Sequence, residues 1–98
     1  MYTPIELDKN RNFRYGMRAI SLIEKKFRKP ISQVDMNNLT MLEMATIIWG
    51  GLAHEDKNLT PDKIMDIVDD SKITIDKIFI TAGEALAKAF GGEEEGKN

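Results

Sequence analysis

A chain of 98 residues, 42% hydrophobic and 31% charged, supports one domain with a real core and excludes a disordered polypeptide. It has no cysteine, which excludes disulfide and thiolate chemistry. With no apolar leader or membrane-spanning run, a cytosolic protein is expected. The net charge of −2 conceals an asymmetry: residues 1–30 carry eight Lys/Arg against three Asp/Glu, and residues 31–70 carry two against eight. Such a split either packs one part of the chain on another or steers a partner.

Tyr2 to Leu7 partly alternates apolar and polar side chains, and Asp8-Lys9-Asn10 reads as a turn, so a short N-terminal strand or hairpin is one reading. The first helix is expected from about Phe13 to Arg28. Phe13, Met17, Ile20, Ile23 and Phe27 recur at spacings of 4, 3, 3 and 4 and form its core face, widened by Tyr15 and Ala19. Arg14, Arg18, Ser21, Lys25, Arg28 and Lys29 occupy the opposite arc, and Pro30 ends the helix.

Ile31-Ser32-Gln33-Val34 reads as one short turn, and residues 35–39 as a connector. Thr40 and Glu43 then form a capping box that opens the second helix. Met41, Leu42, Met44, Ala45, Ile47, Ile48, Trp49 and Leu52 cover most of its circumference, leaving a narrow stripe of Glu43, Thr46 and Gly50. A helix apolar nearly all round belongs inside a bundle, and this one is too short to span a bilayer. The third helix starts with Thr60 as cap, Pro61 in the first turn and Asp62 at the positive end of the dipole; it ends near Asp70. The fourth runs from about Ile75 to Phe90, capped by Thr74 and stopped by Gly91-Gly92. Its core face includes Ile78, Phe79, Leu86 and Phe90, and Glu84 and Lys88 form a favourable i,i+4 pair. The expected fold is therefore all-α: a single-domain bundle of four main helices over residues 1–92, with an acidic tail at 93–98 that has nothing to bury.

Few residues suggest chemistry. His54-Glu55-Asp56 groups three possible metal ligands, but a mononuclear site draws on about three or four converging groups, usually with a second His or Cys. A solvated helix-end loop is the stronger reading. The same loop fails as a calcium loop, because Pro61 stands where glycine is required and Ile67 where a bidentate Glu is required. There is no nucleophile motif, and Gly50-Gly51 lies inside an apolar helix rather than in a phosphate-binding loop. These glycines are expected to admit a close neighbour or to bend the helix. No cofactor is called for.

Two surfaces suit partners. Arg14, Arg18, Lys25 and Lys29 on the first helix suit phosphates or an acidic protein, although Asp62, Asp66, Asp69 and Asp70 would repel nucleic acid. On the last helix, Ile80, Gly83 and Ala87 extend the apolar side beyond what one core needs. Either a partner helix covers them, or the first helix or N-terminal segment does. Self-association is left open.

The segments Tyr15-Gly16-Met17-Arg18-Ala19-Ile20, Ile23-Glu24-Lys25-Lys26, Ile47 to Asp56, Leu59-Thr60 and Glu84 to Gly91 together resemble the tail assembly chaperones of long-tailed bacteriophages and their prophage and gene-transfer-agent relatives. The most specific part is the apolar Trp49-Gly50-Gly51-Leu52 run leading into His54-Glu55-Asp56. The resemblance implies a small helical protein with no catalytic activity. It would bind the tape measure protein, recruit tail tube protein subunits in the host cytoplasm, and be absent from the finished virion. It also implies a longer product made by programmed frameshifting. Gly96-Lys97-Asn98 is compatible with GGA-AAA-AAC or GGA-AAA-AAT, which contain a slippery heptamer. A gene without that heptamer, or without a downstream −1 frame, would rule the slip site out. The alternatives are a small helical DNA-binding regulator or another phage structural or connector protein.

Overall fold

A computed structural model describes residues 2–90 of the chain. The acidic tail expected at 93–98 lies outside these residues. The described chain is mainly helical but not purely all-α. Strands β1 (Thr3–Glu6) and β2 (Asn10–Phe13) form an antiparallel hairpin, followed by helices α1 (Met17–Phe27), α2 (Met41–Leu52), α3 (Pro61–Asp70) and α4 (Ile75–Ala89). A single 3₁₀ turn, Ile31–Gln33, lies between α1 and α2.

The hairpin corrects two expectations. Thr3 pairs with Phe13 and Ile5 with Arg11, so Phe13 belongs to β2 rather than to the first helix. A period of two then carries on through Arg11, Phe13 and Tyr15, all of which are buried. Gly16 takes an extended conformation at the helix N-cap, so α1 begins at Met17. Met17, expected in the core, is 91% exposed. It projects about 120° from Ile23 around the helix, away from the inner face of Ala19, Ile20, Ile23 and Phe27. Phe90 is the second correction of this kind. It forms the C-cap of α4 rather than its last buried turn and is 56% exposed.

Arg11 is 4% exposed in the hairpin. Its guanidinium donates to both carboxylate oxygens of Asp8, at 2.7 and 2.8 Å, and approaches Glu55 at 3.5 Å. A buried charge is tolerated only when paired in this way.

The helix starts follow their local signals. Thr40 accepts from the Glu43 amide while Glu43 accepts from the Thr40 amide, closing the capping box of α2. Thr60 and Thr74 cap α3 and α4 by accepting from the amides of Lys63 and Lys77. The helix α1 ends on Arg28, whose φ of 61° places it in the left-handed region.

The centre of the molecule is α2. Ala45, Thr46, Ile47, Ile48, Trp49, Gly50, Gly51 and Leu52 are all buried. The hydroxyl of Thr46 turns back to donate to the Leu42 carbonyl, and the Trp49 indole N–H donates to the Leu59 carbonyl. The glycines of α2 face close neighbours. A Cβ on Gly50 would overlap the side chain of Ile23, and one on Gly51 would overlap the ring of Tyr15. Both glycines therefore admit close neighbours, α1 at Gly50 and the strand-to-helix segment at Gly51. The Tyr15 hydroxyl donates to the Ile47 carbonyl at 2.7 Å, and burial raises its pKa well above the ordinary phenol value.

Candidate functional site

The His54-Glu55-Asp56 loop is committed to holding the hairpin. His54 Nε2 lies 2.8 Å from the Asn12 carbonyl oxygen, Glu55 accepts from the Asn12 amide at 2.9 Å, and Asp56 accepts from the Asn58 amide. Tyr2 packs its ring on His54, with centroids 5.6 Å apart. The loop thus acts as a clasp between the end of α2 and the edge of β2. Among the described residues, no three His, Cys, Asp or Glu side chains converge as a metal site.

The basic stripe is not one helical face. Arg14 precedes α1, its amide donates to the Gly51 carbonyl, and its guanidinium sits 5.9 Å from the Tyr2 ring centroid. Arg18 and Lys25 are exposed on α1, and Lys29 follows the helix end. On α3, Asp62, Asp66, Asp69 and Asp70 are all exposed.

The surplus apolar side of α4 leads to a more specific arrangement. Ile78, Ala82, Ala85 and Leu86 face the core. Ala85 and Ala89 share a small cleft with Thr3, Phe13 and Tyr15, so the hairpin lies along that flank. The other flank borders a groove of about 480 Å³. Phe79, Gly83, Leu86, Ala87 and Phe90 form one wall, and Ile31, Ser32, Met36 and Ile47 form the rest. Of these side chains only that of Ser32 is polar. Gly83 and Ala87, anticipated as partner contacts, come together here. Ile80 lies about one turn before Gly83 and two before Ala87, 51% exposed, and does not line the groove. Arg14, Arg18 and Lys25 do not line it either.

Ile31 and Met36 were not foreseen as part of this surface. The available signal was weak: isolated apolar residues in an otherwise polar connector. Phe79, expected in the core, packs against it while partly buried, whereas Phe90 is exposed at the groove's end.

Gly83 has a distinctive setting. Apart from its chain neighbours and the backbone of its own helix, no atom of the described residues lies within 4 Å of where its Cβ would be. A glycine inside a helix costs about 0.5–1 kcal/mol relative to alanine. At Gly50 and Gly51 internal packing demands that cost; at Gly83 packing among the described residues does not.

No helix among the described residues is long and apolar enough to cross a membrane. Comparison with known protein families, with curated proteins and with solved structures returns no match.

Proposed function

We propose that the chain is a non-enzymatic tail assembly chaperone. It holds an apolar helical segment of a tape measure protein in the α4 groove and recruits tail tube subunits during tail assembly. The observation that carries this reading is Gly83: a mid-helix glycine that nothing among the described residues requires, set in an apolar groove. Its missing side chain leaves room for a backbone or side chain from outside. Contiguous apolar surface of this kind marks interaction sites, and a helix laid in a groove is a common use of it. The sequence resemblance supplies the partner's identity. The groove supplies a means of shielding a segment that would otherwise aggregate.

Co-expression with a tape measure fragment tests the proposal. The chain should keep the fragment soluble, and Gly83→Glu should abolish this by placing a charged side chain at the groove wall, where the added Cβ meets no neighbouring element among the described residues. A folded Gly83→Glu variant that solubilises the fragment as well as the parent would overturn the reading.

A further inference from the structure

A second groove, of about 200 Å³, lies where α2, α3 and the start of α4 meet. Met41 and Met44 of α2, Met65, Val68 and Asp69 of α3, and Ile75 of α4 line it. Three of the six methionines in the chain are gathered here. Methionine is unbranched and polarizable, and it moulds itself to varied apolar partners. Met41 and Ile75 are both substantially exposed, so the groove is accessible from the surface.

Its edge is acidic. Asp69 lines the groove, and Asp66 and Asp62 precede it at spacings of three and four on the same face of α3, Asp62 bordering a neighbouring cleft that Lys26 also lines. Asp76 stands beside Ile75 at the start of α4. Both ion pairs found among the described residues involve Arg11, so neither engages these aspartates. The lysines interspersed with these aspartates are Lys63, which bonds to the Asn58 carbonyl, Lys72 and Lys77. Residues 62–77 hold five aspartates against three lysines, so this edge stays acidic.

We infer that this groove is a docking site for a basic amphipathic helix of another protein. The apolar stripe of that helix fills the methionine-lined floor, and its flanking Lys or Arg side chains lie along Asp66 and Asp69. The apolar contact supplies affinity, while the carboxylates select the sign of charge and set the orientation. The site is separate from the α4 groove and does not depend on what that groove binds.

The test uses two matched, fluorescently labelled amphipathic helical peptides, one Leu/Lys and one Leu/Glu, with anisotropy as the readout. The Leu/Lys peptide should bind and the Leu/Glu peptide should not. Asp66→Lys/Asp69→Lys should weaken binding by on the order of tenfold or more, reflecting like-charge repulsion at the edge. Met41→Glu, at an exposed position, should weaken it while leaving the melting temperature near that of the parent. Gly83→Glu should leave it unchanged. Equal binding of the two peptides overturns the inference, as does unaltered affinity in the double variant or in a folded Met41→Glu variant. Sedimentation showing a dimer that the peptide displaces would assign the groove to a second copy of the chain and would equally overturn it.

Discussion

Ile23 of α1 lies where a side chain on Gly50 of α2 would have to be. A methyl group on Gly50 would overlap Ile23 Cγ1 and reach within 2.6 Å of Cδ1, while the Ala19 carbonyl oxygen stands 3.5 Å away. The two helices cross at this point, and both residues are buried. Gly50→Ala should therefore destabilise the protein by about 1–2 kcal/mol, because overpacking outweighs the gain in helix propensity. Ile23→Ala alone should cost about 2–5 kcal/mol through the cavity it leaves. In the double variant the added methyl occupies part of that cavity. Denaturant melts should show the pair less destabilised than the sum by about 1 kcal/mol. Strict additivity would mean that the two residues are not in contact.

Tyr15 and Ile47 give a prediction in pH. Burial holds the Tyr15 phenol protonated well past its ordinary value of 10.0. The raised value means that its contribution to stability is complete below about pH 10. It is lost as pH climbs above that value, where the unfolded chain gives up the proton first. Tyr15→Phe should cost about 1–2 kcal/mol at neutral pH by removing the bond to the Ile47 carbonyl. It should also flatten the alkaline decline. Melts of both proteins between neutral pH and pH 11 check this, and parallel declines would count against it.

Asp8 and Arg11 give the acid counterpart. The hydrogen bond from Arg11 is the main cause holding the Asp8 carboxyl below its ordinary value of 3.8. A lowered value means that the stabilisation is present above about pH 4 and fades as pH falls through the folded-state value. Asp8→Asn should remove this acid sensitivity and cost about 1–3 kcal/mol, because the buried guanidinium loses its paired acceptor. Arg11→Met should be milder than Asp8→Asn, since it leaves no unpaired charge inside. Urea melts of the two variants at neutral pH check the ranking.

Arg28 closes α1 in the left-handed region, which a residue with a Cβ enters at a cost. Arg28→Gly should stabilise the protein by about 0.5–1 kcal/mol, a rise of a few degrees in melting temperature for a domain of this size. An unchanged or lower melting temperature would show that the side chain offsets the strain.

What the sequence disclosed follows the range of each interaction. The starts of α2, α3 and α4 depend on residues three apart, Thr40 with Glu43, Thr60 with Lys63 and Thr74 with Lys77, and each was legible. Phe13 and Met17 were not. Their spacing of four suits a helix, but the pairing of Phe13 with Thr3 across the hairpin decides its place, and that pairing is non-local. The burial of Arg11 was equally hidden: its main partner Asp8 is local, but the loop after α2 that brings Glu55 to its other side is not. In the candidate site, Gly83 and Ala87 were visible as surplus apolar positions on a helix. Ile31 and Met36 enter only because the connector after α1 folds back beside them.

The α4 groove is tested most directly by titrating the isotopically labelled protein with a helical tape measure fragment while following its amide resonances. The account predicts that the shifts concentrate at Ile31, Phe79, Gly83 and Ala87 and vanish in a folded Gly83→Glu variant. Shifts confined to Arg14, Arg18 and Lys25, with Gly83 unmoved, would contradict it.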